Sequence, residues 1–470
     1  MKRKQLFNLS ANALQLILNQ LFGLVTFYVL STTLTKSNFG QVNLALAILL
    51  AAFSILSFGI DQLVVKKIAA GTNRQLTLSL YIGHTIITGL LFYGVLGMGL
   101  LFFPEHSPVY TLVLLIGIGK LMIYFSTAYK QAANGLEEFK LLAIISVISN
   151  FIRCIGLIVF ALLHMVNLQT IIAIFIIGDS LEFLIGLYLF KKMSRLPLTF
   201  QWDRSAYLSL LREALPQGGV VIITSALARF DWIFIGFMLS AAKLAEYSFA
   251  YKVFEVSTLP LLAIAPLLIP HFTKLFQQSI VNTDSFKFLV RMEMVVAALI
   301  GLLLNMCWAP IIDGITAGKY GAVNIITIFI LTLCMPFLYL NNFLWTIYFA
   351  QGRLKMILNA FIITLIVNVA ADVILIPIYK NEGAAFAFLS GCIAQALFFM
   401  AKNKINELGT IWQPLVICVC CAICSGFTVK HFLADSLWST AVAIALYFVL
   451  LFITTQLRLK DAERFKAVLK

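Results

Sequence analysis

Apart from Asp61, Arg291 and Glu293 near the ends, nine charged side chains stand deep inside long apolar runs of the chain: Lys120, Arg153, Arg229, Lys252, Asp179, Glu182, Asp231, Glu255 and Asp372. A charge at such a position costs on the order of 3 kcal/mol if it faces hydrocarbon. These groups are therefore expected to face a polar interior, and several cations at depth suit an anion. A pyrophosphate is the natural candidate, because guanidinium groups bind phosphate oxygens in bidentate, charge-assisted pairs and lysine adds a mobile point charge. Arg229, Lys252, Arg153 and Lys120 form the candidate binding set.

Internal pairing competes with that reading. Lys252 and Glu255 are three residues apart and share a helical face, and Arg229 or Arg153 could neutralise Asp231. Asp179 and Glu182 have the same spacing, and two adjacent carboxylates repel until one takes a proton or a cation. Together with Asp231 and Glu255 they are candidates for ion coupling or gating; the alternative is that each acid caps a buried lysine or arginine. Asn368 and Asp372, four apart, form a polar stripe suited to bonding between helices.

Other chemistries fit poorly. Four of the eight cysteines fall within Cys418–Cys424, but an apolar stretch lacks the polar surroundings that hold metal ligands in place. The five histidines are dispersed without metal-binding spacing, and no phosphate-binding glycine loop is present. No metal and no cofactor are expected. The net charge of +14 is scattered through short segments rather than gathered on one face, so nucleic acid is not expected as a partner.

The elements that carry these residues follow from composition. The 470 residues are 61% hydrophobic and only 11% charged, where soluble domains average about 25% charged. Backbone amides in a bilayer must bond internally, so such a chain spans as helices or as a closed barrel. Runs such as 322–340 and 436–455 meet the roughly twenty-residue length of a spanning helix. Fourteen spans are expected, at approximately 9–32, 40–64, 78–103, 110–131, 141–163, 168–190, 215–240, 246–270, 288–311, 322–347, 357–379, 382–402, 411–431 and 435–456.

Loop charge tests that count, since lysine and arginine are retained on the cytoplasmic side. With both termini inside, the inner segments carry 25 basic residues, and the outer ones only Lys36, Lys243, Lys319, Lys380 and Lys430. A missed span would destroy the alternation. The charged connection after the sixth span, with Pro197, Trp202 and Asp203, resembles a hinge between two lobes. Leu34 with Gly40-Gln41-Val42 and Ala45 is echoed 205 residues later by Leu239 with Ala245-Glu246-Tyr247 and Ala250. The expected organisation is an N-terminal lobe of six helices at 1–192, a cytoplasmic linker at 193–214, a second six-helix lobe at 215–403, and two further helices with a basic tail at 404–470. Pro260, Pro266 and Pro270 are expected to kink the eighth span.

Gly59-Ile60-Asp61 with Lys66-Lys67, Ala228-Arg229-Phe230-Asp231 with Tyr247-Ser248-Phe249-Ala250, and Asn368 with Leu375-Ile376-Pro377 and Gly383-Ala384-Ala385 carry a family resemblance. By these the chain resembles the polysaccharide-transporter branch of the multidrug/oligosaccharidyl-lipid/polysaccharide exporter superfamily, the group containing O-antigen flippases. The resemblance implies alternating access by two pseudo-symmetric lobes around a cationic lumen. It implies an undecaprenyl-pyrophosphate-linked oligosaccharide as cargo, moved to the outer leaflet of a bacterial cytoplasmic membrane for surface polysaccharide synthesis. Membrane lipids, a polysaccharide polymerase and chain-length machinery are the partners it suggests, and a proton or sodium gradient the driving force. Related lipid II flippases place arginines on the opening helices, where this chain has none; Asn19 and Gln20 are the neutral partners expected there instead.

Two rivals remain. A cation-coupled multidrug exporter of the same fold would need an acidic or aromatic lumen, against which the arginines and lysines at depth argue. A membrane-embedded polymerase or glycosyltransferase would need a sizeable outer loop or a pair of outward carboxylates, and neither is visible. The chain is expected not to be an enzyme.

Overall fold

The computed structural model describes residues 2–71, 73–102, 107–198, 201–261, 283–402, 410–433, 437–458 and 460–461. Among the described residues there is no strand, and helices follow in the order α1 (Lys2–Thr33), α2 (Lys36–Ser57), α3 (Ile60–Ala70), α4 (Arg74–Phe102), α5 (Pro108–Gly135), α6 (Phe139–Leu162) and α7 (Leu168–Met193). The chain continues through α8 (Arg204–Met238), α9 (Ala241–Ser257), α10 (Thr283–Thr316), α11 (Ile325–Ala350), α12 (Leu354–Ala401), α13 (Trp412–Phe432) and α14 (Leu437–Ile453). Ten of them are long and apolar enough to cross a bilayer, and Ile17–Thr33 and Trp438–Ile453 are shorter apolar helices. The chain is an all-α polytopic membrane protein. Pro260 falls within the described residues, whereas Pro266 and Pro270 lie outside them.

Three boundaries differ from those expected from hydropathy. The second span is broken into α2 and α3, because Phe58 (φ 52°) and Gly59 (φ 71°) are left-handed and the Phe58 N–H bonds back to Ile55 O at 3.0 Å. The seventh span starts at Arg204 rather than 215, since the Asp203 carboxylate accepts the N–H groups of Ser205 (2.8 Å) and Ala206 (3.2 Å) and caps the helix early. The eleventh and twelfth spans are joined without a loop at Lys380 (φ 55°, ψ −126°). The chain reverses there: a Cβ on Gly391 would meet Asn368 Cβ at 3.3 Å, and one on Gly383 would overlap Leu375 O.

The chain divides into two compact units, Met1–Gly236 with Ser240–Ala245, and Phe237–Leu239 with Glu246–Lys470. The segment 193–214, expected as a linker, lies inside the first unit. The Trp202 ring lies 4.8 Å from that of Tyr207, tilted by 38°, and sits against Gly83, the Tyr207 hydroxyl bonds His84 Nδ1 at 3.0 Å, and His84 Nε2 bonds Leu56 O at 2.9 Å. Lys67 pairs with Glu213 at 3.0 Å, and Gln217 Nε2 donates to Gln62 Oε1 at 2.6 Å, so α8 is fastened to α3. Beneath these contacts Ile60, Val64, Ile68, Tyr81, Tyr129, Ile145, Phe190 and Ala214 form a fully buried core.

In the second unit, hydrogen bonds between helices supplement packing, since the hydrophobic effect cannot hold helices together within lipid. Asn341 Nδ2 donates to Cys392 O (2.9 Å), the Tyr348 hydroxyl to Phe399 O (3.0 Å), Asn305 Nδ2 to Thr332 Oγ1 (2.7 Å) and the Tyr447 hydroxyl to Val295 O (2.9 Å). These tie α11 to α12 and α10 to α11 and α14.

Candidate functional site

The densest charge cluster forms where α5, α6 and α7 meet in the first unit. Their ends are set by capping. The Ser107 hydroxyl accepts the Tyr110 N–H (3.2 Å) with Pro108 in the first turn of α5, and Asn167 and Thr170 exchange hydrogen bonds of 2.9 Å at the start of α7. Counting 1.5 Å per residue, Lys120 and Asp179 then lie roughly 17–18 Å along their helices, and Arg153 roughly 14 Å from the matching end of α6. The three residues share one level.

Small residues bring the helices close enough for them to meet. A Cβ on Gly119 would come within 3.0 Å of Phe175 O and 3.1 Å of the Asp179 side chain, and one on Gly178 within 3.1 Å of Arg153 Cγ. At that approach Lys120 Nζ reaches Asp179 Oδ2 at 2.7 Å, and the Ser149 hydroxyl donates to Asp179 Oδ1. Arg153 Nε lies 3.6 Å from Asp179 Oδ1 and donates to Ser149 O at 3.3 Å, while Nη2 donates to Asn150 Oδ1 at 2.7 Å. Both cations lie over the Phe175 ring, Lys120 at 5.3 Å and Arg153 at 4.9 Å, adding an attraction to its π face. Asn150 Nδ2 then donates to Asn19 Oδ1 at 2.9 Å and links α1 to the cluster.

Charge does not cancel here. Lys120 and Arg153 share the single carboxylate of Asp179, whose side chain is fully buried, whereas one turn away Lys130 and Glu182 neutralise each other at 2.7 Å. Asp179 and Glu182, expected on one face, are indeed both buried in α7, but each takes its own lysine.

The other candidates sit apart from this cluster. Arg229 lies over the Trp232 ring at 4.7 Å and donates to Ala228 O at 2.8 Å; among the described residues no carboxylate pairs with it. Asp231 is buried and accepts the Trp232 N–H at 2.8 Å. Lys252 and Glu255 pair along α9 at 2.7 Å, in the second unit. Gln20 is exposed on α1, and Asn368 and Asp372 are buried in α12. Among the described residues no group of three or more histidines, cysteines or acids could hold a metal ion.

Sequence reasoning passed over Ser149, Asn150, Phe175 and Lys130. Ser149-Asn150 is a signal that was there to be read: two adjacent polar residues in an otherwise apolar span, one turn before Arg153. Lys130 counted as a loop charge, yet α5 extends to Gly135 and carries it inside the helix.

Comparison with solved structures identifies the fold. The structure of the lipid II flippase MurJ in an inward closed conformation is similar with a TM-score of 0.75 at 14% identity, over 94% of this chain and 98% of that one. An inward-facing multidrug resistance transporter of the MATE family and MOP superfamily gives 0.65 at 12% identity, over 86% and 98%. A MOP superfamily transporter from Pyrococcus furiosus gives 0.57 at 12%, over 86% and 94%. No curated protein matches the chain by sequence. Residues 6–276, more than half of the chain, match the family described as polysaccharide biosynthesis protein. The chain belongs to that polysaccharide biosynthesis family.

Proposed function

We propose that the protein translocates an undecaprenyl-pyrophosphate-linked oligosaccharide from the inner to the outer leaflet of a bacterial cytoplasmic membrane, by alternating access, for surface polysaccharide synthesis. Membership of the polysaccharide biosynthesis family supports the cargo class. The observation that carries the reading is the surplus of positive charge at span depth. Two cations, Lys120 and Arg153, face one buried carboxylate, and the Arg229 guanidinium has no acid beside it among the described residues.

A lone charge of that kind is costly in a bilayer and persists where an anion completes it. Pyrophosphate supplies the oxygens that guanidinium groups bind in pairs, and Asn19 and Asn150 offer neutral contacts to sugar or head group at the edge of the cluster. A multidrug exporter for cationic compounds would call for the opposite sign. In this reading a proton or sodium gradient drives the cycle, and polymerase and chain-length machinery receive the product.

Complementation tests it. The gene should restore surface polysaccharide in a strain lacking its own flippase, and Arg229→Ala should abolish rescue while the protein still reaches the membrane. Full rescue by Arg229→Ala and by Arg153→Ala would refute the proposal.

A further inference from the structure

A polar cavity lies far along the chain from the charge cluster of the first unit, at one end of the second unit. It measures about 460 Å³, within the range of small-ligand sites, and is walled by the start of α10, residues 410–414 at the head of α13, and residues 455–458 after α14. Lys287 and Arg291, one turn apart on α10, share the wall with Arg458.

The local geometry explains why these cations gather. Thr455 is left-handed (φ 61°), and the Gln456 N–H bonds back to Leu451 O at 2.9 Å, so the chain turns sharply at the end of α14. That turn brings Asp461 to Arg291 Nη2 at 2.6 Å and to the Arg458 N–H at 2.8 Å, and Thr455 O to Arg291 Nη1 at 3.4 Å. Asp461 thereby matches one cation of three. Lys287 and Arg458 are exposed and have no carboxylate partner among the described residues.

Two buried polar atoms on the wall also lack a hydrogen-bond partner among the described residues. They are Arg291 Nε and Gln456 Oε1, the latter on a residue only 8% exposed. Gln456 Nε2 donates to Thr454 O at 3.4 Å, so the unfilled donor of the two is Arg291 Nε. The 21-residue helix α13 begins beside it without a side-chain cap, so the positive end of its dipole adds to the field. Trp412, 47% exposed in the first turn of α13, marks this end as a membrane–water interface.

We propose that this cavity binds a phosphate group, presented by an anionic lipid head group or free in solution. Among the described residues, three cations against one carboxylate, the unfilled Arg291 Nε–H and a helix N-terminus are the groups that phosphate oxygens satisfy. By loop charge this end faces the cytoplasm, where anionic lipids concentrate and attract each nearby lysine or arginine. The inference does not depend on the transported cargo.

The test uses the purified full-length chain in uncharged detergent. Native mass spectrometry would measure retention of phosphatidylglycerol against phosphatidylcholine, with inorganic phosphate as competitor. Lys287→Gln with Arg458→Gln should weaken phosphatidylglycerol binding about fivefold per cation, roughly 25-fold together. Lys140→Gln with Lys355→Gln, which removes the same charge elsewhere, should change it little. Displacement of the lipid by millimolar inorganic phosphate would make the phosphate alone the ligand; retention would make it the lipid-borne group, and either supports the site. Equal binding by the Lys287/Arg458 variant, equal loss in the Lys140/Lys355 variant, or equal retention of phosphatidylcholine would overturn it.

Discussion

Replacing Asp179 with asparagine isolates the energetics of the charge cluster. The change keeps the side-chain size but leaves Lys120, whose side chain is 10% exposed, without an anion 2.7 Å away, and removes the one carboxylate that pairs with Arg153 among the described residues. Breaking a buried pair in this way costs about 3–5 kcal/mol. For a cooperative unit of some two hundred residues, each kcal/mol lowers the melting temperature by about 2–4 °C, so a fall on the order of 10 °C is expected. Lys120→Met should cost less, because the Asp179 carboxylate keeps the Ser149 hydroxyl and the Arg153 guanidinium. Combining Lys120→Met with Asp179→Asn should recover at least half of the Asp179→Asn loss: no unpaired lysine remains buried at this site, and Arg153 retains Asn150 Oδ1 at 2.7 Å and Ser149 O at 3.3 Å. The assay is fluorescence-monitored melting of the detergent-purified chain in a double-mutant cycle. If the single losses simply add, or if Asp179→Asn melts with the parent protein, the account of the cluster as a mutually dependent ionic unit is wrong.

Three further outcomes are expected. Cysteines placed at Lys243 or Lys380 should react with a membrane-impermeant thiol probe added from outside, and cysteines at Lys140 or Arg353 should not; the reverse pattern would invert the proposed orientation. Lys380→Gly should raise the melting temperature, since glycine adopts φ 55° without the roughly 1–3 kcal/mol that a side chain costs there, and a lower melting temperature would contradict the reversal described at that residue. Gly119→Val should destabilise by about 1–3 kcal/mol, because even a bare Cβ would stand 3.0 Å from Phe175 O; unchanged melting would mean that α5 and α7 are not so close.

What hydropathy revealed and what it hid follow one physical divide. Segment length and loop charge are properties of the local chain, and most expected spans have a helix of their own or share one across the Lys380 reversal; the second divides into α2 and α3, and residues 262–270 of the eighth lie outside the described residues. Lys252 with Glu255 was legible for the same reason, since three residues on a helix fix both side chains on one face. Lys120 with Asp179 and Lys130 with Glu182 were not. Their partners lie 59 and 52 residues away, and the choice between them depends on how α5 and α7 rotate about their axes. A residue average over an apolar window holds no information about that rotation. The break at Phe58–Gly59 was hidden because both residues are apolar enough to extend a run, although glycine followed by Ile60-Asp61 carries the trace of a new helix start.

The clasp of Trp202 and Tyr207 onto Gly83 and His84, with the Lys67–Glu213 pair beside it, bears on how the gene should be divided. Co-expressed fragments cut within the long charged connection would separate α8 from the residues that anchor its first turns, exposing a buried imidazole and an unmatched glutamate at the severed edge. Division after Met238 keeps those anchors with the helix they hold, so a functional bipartite protein should tolerate a scission there and fail with one near residue 198.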